Sequence, residues 1–375
     1  MTPKPQRNPG FLPRSRAQVL VDALVDAGYR VLGPVIRDAV VRFGEIESVD
    51  QLAPGLRESQ APGRYRLEQV DDGRWFGWTV GPQGLKPLLF PPRELLWRSS
   101  TDGAGRLRFD PPDPVEPGPV AVLGVRPCDI AALALLDAHF LGGPEPDPGY
   151  AARRHGLFLV GTDCARSAPT CFCASTGDGP MLTEGYDVGL AELDEGLLVW
   201  SGTDAGRAIV DRVALQPALP HQLAEAAEAG NRAAAVQRRR VPSRHLARVL
   251  FAELDHARWR QAGARCLACG NCTAVCPTCF CHAVRTEPRL ADGTAEQVRE
   301  WDSCFSADHS LLHGRPLRGD AATRYRQWLT HKLGGWHAQY GRSGCVGCGR
   351  CITWCPAGID LVAEVAAMVA GDGDD

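Results

Sequence analysis

Two runs of cysteine set the limits on what this chain can become. Cys266, Cys269, Cys272 and Cys276, followed by Pro277, recur in spacing as Cys345, Cys348, Cys351 and Cys355, followed by Pro356. Each reads C-x2-C-x2-C-x3-C-P, the bacterial ferredoxin run whose thiolates hold 4Fe–4S clusters. Three cysteines at two-residue gaps force the backbone to curl until their sulfurs face three irons of one cube. Gly270 and Asn271 in the first run, and Gly347 and Gly349 in the second, let that curl form without steric cost. Structural zinc sites pair two C-x2–4-C units across a longer gap, so a third cysteine in the same loop suits a cube rather than a tetrahedron. The eight cysteines are expected to ligate the iron of two 4Fe–4S clusters, and the expected role is electron transfer. In two-cluster ferredoxins the fourth cysteine of each run crosses to the other cube. Cys266, Cys269, Cys272 and Cys355 are therefore expected on one cluster, and Cys345, Cys348, Cys351 and Cys276 on the other.

The rest of the composition narrows the setting. A chain of 375 residues has room for two or three domains with substantial cores. A net charge of -3 gives no reason to expect a nucleic-acid partner. The opening MTPKPQRNPGFLPRSR carries no apolar signal segment, and no apolar run approaches bilayer length. A reducing cytoplasm without direct membrane insertion is expected, with the 15 cysteines kept as thiols or metal ligands rather than disulfides. Nearly every basic residue is arginine; Lys4, Lys86 and Lys332 are the lysines. In that background Lys86 and Lys332 are candidates for positions that need a compact ammonium rather than a planar guanidinium.

The chain reads as α+β: small α/β N-terminal and central domains followed by a two-cluster ferredoxin-like domain with an insertion. Residues 1–84 form the lead-in. Ala17, Leu20, Val21, Leu24 and Val25 share a helical face that ends at Gly28, and Tyr29–Ile36, Tyr65–Glu68 and Trp75–Val80 read as extended. Residues 85–242 form the central α/β domain. In it Val120–Val125 and Leu157–Gly161 read as buried strands joined by a helix over Ile130–Leu141, a parallel βαβ unit. Asn231 to Arg240 is polar and arginine-rich, a basic docking surface or a solvated helix face and linker. Residues 243–375 form the dicluster domain. Ser243 is the expected N-cap of a stripe comprising Leu246, Val249, Leu250, Leu254 and Ala257, and Ile359–Val369 is a closing helix before an acidic tail. The 68 residues between the two runs, 277–344, exceed what a minimal ferredoxin needs.

Seven cysteines lie outside the two runs. Cys128 and Cys164 follow the two predicted parallel strands, so their loops emerge on the sheet edge where such folds place ligands. Cys171 and Cys173 follow in PTCFC. These four are candidates for a third iron–sulfur cluster, with zinc as the competing occupant. The string PTCFC recurs at 277–281, where Cys279 and Cys281 are candidate substitutes in the ligand set. Cys304, alone in WDSC, reads as a buried inert thiol. No G-x-G-x-x-G follows a strand, no phosphate-binding lysine loop occurs, and no C-x-x-C-H is present. The chemistry of NAD(P) or flavin is therefore expected on a partner, and no catalytic residue is assigned here.

Several longer strings resemble one family along almost the whole chain: YRVLGPVIRD at 29–38, LKPLLFPPRELL at 85–96, GVRPCDIAAL at 124–133, DCARSAPTCFCASTGDGP at 163–180, CLACGNCTAVCPTCFC at 266–281, REWDSC at 299–304, RYRQWLTHK at 324–332 and CVGCGRCITWCP at 345–356. They resemble the iron–sulfur β subunit of cytoplasmic NAD(P)-linked nickel–iron hydrogenases (sulfhydrogenases), a family shared with the corresponding iron–sulfur subunit of anaerobic sulfite reductase. The resemblance implies a subunit that relays electrons between a flavin- and NAD(P)-binding reductase subunit and a catalytic nickel–iron hydrogenase subunit. A sirohaem sulfite reductase subunit is the alternative partner. An independent reductase of polysulfide or a disulfide is the reading from a different class. Genes for a flavin-type reductase and a nickel–iron large subunit beside this one favour the first, a sirohaem-type neighbour the second, and a solitary gene the third.

Overall fold

A computed structural model describes residues 8–370 apart from 53, 113–117 and 243–245. Its centre is an eight-stranded sheet. In spatial order the strands are Gln216–Pro217, Gly10–Pro13, Gly196–Ser201, Val188–Glu192, Leu157–Thr162, Val120–Val125, Arg30–Arg37 and Val40–Glu45. The middle four run parallel, from Val188–Glu192 to Arg30–Arg37. Every residue of Val120–Val125 is buried, which explains its unbroken apolar run: a parallel strand covered on both faces has no polar side. The helix Pro127–Phe140 and the helix Gln18–Asp26 supply cover, the latter through Leu20, Val21 and Leu24 but not Val25, which is exposed.

This sheet departs from the expected division into separate small N-terminal and central domains. Arg30–Arg37 pairs with Val120–Val125, and Gly10–Pro13 pairs with Gly196–Ser201, so strands from both sides of residue 84 share one sheet. Parallel neighbours need long crossovers, and here a crossover carries the Leu56–Ala61 and Arg64–Gln69 hairpin between them. The stretch Trp75–Val80 is buried but is not a strand. Side chains, rather than a ladder, satisfy its backbone. Glu192 accepts from the Trp75 and Phe76 N–H groups, Glu58 accepts from Thr79 N–H, and Arg126 donates to the Phe76 and Trp78 carbonyls.

The insertion after the first cysteine run also crosses an expected boundary. His282–Arg289 and Thr294–Trp301 form a hairpin whose second strand pairs with Arg93–Thr101, and Leu107–Asp110 completes a four-stranded sheet. Arg299 of the hairpin pairs with Glu94 and Asp147. Around the cysteine loops, the helices Leu246–Ala252, Ala257–Arg265, Ala321–Thr330 and Leu361–Ala370 enclose a core that includes Leu250, Trp259, Trp328, Leu329 and Val365. The stripe read as one helix is broken between 252 and 257, where His256 accepts from Arg258 N–H and restarts the chain as a second helix. The expected cap Ser243 and the acidic tail lie outside the described residues. Among the described residues no helix is long and apolar enough to cross a membrane.

Candidate iron–sulfur centres

The first run curls through Gly270, at φ +74°, into the short helix Asn271–Ala274. Cys266, Cys269 and Cys272 line a pocket together with Cys351 and Cys355 from the second run. Cys266 and Cys272 each lie close enough to Cys355 and Cys269 for their charges to interact. The fourth cysteine therefore approaches the opposite run, the arrangement the ferredoxin pattern leads one to expect. Phe305, Tyr325, Trp328 and Ile359 wall the cavity. Tyr325 Oη and Trp328 Nε1 are buried without a hydrogen-bond partner, two donors suited to the sulfurs of a bound cluster. Ala268 N–H already donates to Cys266 Sγ, and Ile359 N–H to Cys355 Sγ, both at 3.4 Å.

The second run is buried more deeply. Cys345 and Cys348 are buried, whereas Cys269 of the first run is exposed. Cys345, Cys348 and Cys351 gather with Cys276, the fourth cysteine of the first run. The helical turns Asn271–Ala274 and Arg350–Thr353 pack on each other, which brings the two crossed sets side by side. Burial pushes the Cys345 thiol up to about 12. The hydrogen bond from Cys279, opposed by burial and aided by Lys332, pulls Cys276 down instead. Loading a cluster onto such buried thiols must release protons, because the ligand is the thiolate.

Both lysines singled out by composition sit here. Lys332 is buried with Nζ 3.5 Å from Cys276 Sγ and 2.7 Å from Thr278 Oγ1. It is placed by a π-helical turn, His331–Gly335, interposed between two α-helices. Burial works against its charge, but Cys276, Cys279 and Cys345 hold its ammonium above the ordinary lysine range. Lys86 is buried over the Trp301 ring and donates to the carbonyls of Thr273 and Ala274. Burial pulls its ammonium down.

The central cysteines converge at the sheet edge. Cys128 opens the helix after Val120–Val125, and Cys164 follows Leu157–Thr162. Cys171 lies close enough to Cys173 and Cys164 for their charges to interact, and Cys128 and Cys173 pack in one buried cluster. Burial pushes the Cys173 thiol up to about 12. The chain surrounds this group with polar support. Gln237 donates to Cys173 Sγ at 3.3 Å and accepts from Ala174 N–H at 2.9 Å. Arg239 pairs with Asp360 at 2.7 Å. Residues 231–235 end the helix Pro220–Ala235 as a solvated face, and the linker after it binds the cysteine segment through Gln237 and Arg239 while Arg232, Arg238 and Arg240 stay exposed. Arg126 is fully buried beside Cys164 and bonds to that thiol. A buried guanidinium against these thiols fits an anionic cluster.

This central group abuts the second run. Cys173 and Cys128 both adjoin Cys348. Phe172 N–H donates to Gly347 O at 2.8 Å. A Cβ at Gly347 would stand 2.6 Å from Cys173 Cα, and one at Gly349 2.4 Å from Thr170 O. Those glycines therefore serve a close approach of two chain segments as well as the curl of their own loop. Arg350, between Cys348 and Cys351, is buried in a two-pronged ion pair with Asp129, which follows Cys128.

Cys279 and Cys281 do not join the central group. Cys279 lies beside Cys276 and Cys281, and Cys281 contacts Cys304 and His309. Cys304 is thus not the lone thiol its sequence context implied. Thr294–Trp301 runs back along His282–Arg289, so the residues just beyond the two strand ends meet, and Asp302 N–H donates to Cys281 O. The second PTCFC string repeats the first in letters, but a hairpin gives it different neighbours.

Two ferredoxin-type runs of four thiols folded against each other give the donor set of an iron–sulfur protein of the dicluster ferredoxin class. Residues 265–359 match the family described as 4Fe-4S dicluster domain. Over 339 residues the chain is 31% identical to the sulfhydrogenase 2 subunit beta of Pyrococcus furiosus, covering 89% of this chain and 90% of that protein. The chain belongs to the family of iron–sulfur β subunits of sulfhydrogenases. No solved structure matches it.

Proposed function

We propose that this chain is the electron-transfer subunit of a cytoplasmic sulfhydrogenase-type complex, relaying electrons between a flavin- and NAD(P)-binding subunit and nickel–iron hydrogenase subunits. What supports the reading is the succession of thiols from the exposed Cys269 to the buried Cys128, Cys171 and Cys173. Cys266, Cys269, Cys272 and Cys355 would hold one cluster. Cys345, Cys348, Cys351 and Cys276 would hold the second, and Cys128, Cys164, Cys171 and Cys173 a third. Bound there, such clusters would supply one-electron redox chemistry, with potentials tuned by hydrogen bonds to sulfur, nearby charge and solvent exposure. The chain's own residues set those terms. Lys332, Arg350 and Arg126 place positive charge beside the thiols; Phe305, Trp328 and Tyr325 exclude water; Cys269 leaves one end accessible to a partner.

Anaerobically reconstituted chain should bind iron and acid-labile sulfide at about 4 per thiol set. Cys171→Ser with Cys173→Ser should remove about 4 irons and leave the ferredoxin-type signals intact. Unchanged iron in that double variant would end the third centre. The relay is tested separately: the pure chain should not oxidise NADPH, and should accept electrons once a flavoprotein reductase subunit is supplied. Sustained NADPH oxidation by the chain alone would overturn it.

A further inference from the structure

The thiols that the relay leaves unused are Cys279, Cys281 and Cys304, and they lie together. Cys281 contacts Cys304 and the His309 ring, and Cys279 adjoins Cys281. Three features mark this group as a built site. His309 Nδ1 is 2.7 Å from Asp302 Oδ2, and Asp302 is itself held by Ser303 N–H at 2.7 Å. With Nδ1 committed to a carboxylate, the ring is fixed and Nε2 is the nitrogen left to ligate, the usual outer-sphere support of a metal-bound histidine. The group borders a solvent-reaching pocket lined by Cys279, Cys281, Lys86, Trp301 and Asp302. Two buried ammonium groups, Lys86 and Lys332, interact with these cysteines, which offsets the charge that ionised thiols would bring into the interior.

We infer that Cys279, Cys281, Cys304 and His309 form a further iron–sulfur site, a cluster with three thiolate ligands and one imidazole. Three thiolates and an imidazole form a ligand set that an iron–sulfur cluster accepts. The position favours the same conclusion. Cys279 bonds to Cys276 of the second set, and Cys304 lies close enough to Cys272 of the first for their charges to interact. A cluster there would stand against both ferredoxin-type centres and behind the cavity wall, a branch point rather than an extension of the line. Imidazole in place of thiolate removes negative charge and raises a cluster's potential, which suits a site that accepts electrons from two neighbours. The inference adds to the relay, and it can fail while the relay stands, because it is tested on the isolated holo-chain.

Pulsed EPR of the reduced, anaerobically reconstituted full chain should show a 14N hyperfine coupling from a directly bound imidazole on one cluster signal. In His309→Cys that coupling should vanish, iron should be retained, and the potential of that signal should fall. In Cys281→Ser with Cys304→Ser, iron and sulfide should each drop by about 4 per chain while the two ferredoxin-type signals persist. If the double variant fails to fold, the wild-type coupling and its loss in His309→Cys decide the matter. Absence of an imidazole coupling in wild type, stoichiometric zinc, or a Cys281–Cys304 disulfide in the reconstituted chain would each overturn the inference.

Discussion

Replacing Arg350 by methionine tests how the sheet and the cysteine domain are joined. Arg350 Nη1 and Nη2 donate to Asp129 Oδ1 and Oδ2 at 2.7 and 2.9 Å, and Nε donates to Gly81 O at 2.8 Å. Both side chains are almost fully buried, at 1% and 2% exposure. With charge centres ~4 Å apart and an effective dielectric of ~20, the attraction is about 4 kcal/mol. Removing one partner of a buried pair costs about 3–5 kcal/mol, because the other charge stays behind without compensation. Arg350→Met should therefore destabilise the holo-chain by about 4 kcal/mol. Arg350→Met combined with Asp129→Leu should recover at least half of that, since no buried charge then remains. Anaerobic urea unfolding followed by tryptophan fluorescence gives the stabilities, and iron retention reports the cysteine sets on either side. A single variant within about 1 kcal/mol of the parent, or a double variant no better than the single, would refute the argument.

Cys355→Ser should abolish the centre of Cys266, Cys269 and Cys272 while sparing that of Cys345, Cys348 and Cys351; loss of the latter in EPR would show that the runs do not cross. Lys332→Met removes an ammonium 3.5 Å from Cys276 Sγ and should lower one cluster potential by on the order of 100 mV, the Coulomb energy of a unit charge at ~8 Å and a dielectric of ~20; an unchanged redox titration would contradict this. His139 stacks on Phe280 and binds Tyr340 Oη at 2.8 Å, and burial, with His282 nearby, pulls its pKa down to about 4. The unfolded chain binds that proton first, so stability falls as pH drops from about 6.5 towards 4. His139→Phe should remove that part of the slope, read as a smaller loss of urea midpoint between pH 7.5 and 5.5 than in wild type.

What the sequence determined by itself is what short stretches of backbone determine. The C-x2-C-x2-C curl depends on residues within one turn, so the cluster type and its glycines were legible in the letters. The parallel unit of Val120–Val125 and Leu157–Thr162 was legible for a similar reason, since continuous apolar runs joined by a helix have one common solution. Cys128, Cys164, Cys171 and Cys173 could be grouped from the sequence because topology alone brings successive parallel loops to one edge. Tertiary structure decided what depends on segments far apart in the chain. The N-terminal strands join the central sheet because their partners lie beyond residue 119. Trp75–Val80 has a buried composition but no ladder, because Glu58, Glu192 and Arg126 take its backbone groups. The rarity of lysine pointed to Lys86 and Lys332, but only packing shows Lys332 beside Cys276 and Lys86 at the carbonyls that follow Cys272. Cys304 read as inert until a hairpin set it beside Cys281 and His309. A thiol's neighbours across a hairpin or a domain junction leave no periodic trace in the sequence, because contact at long separation is fixed by how whole elements pack and not by local steric preference.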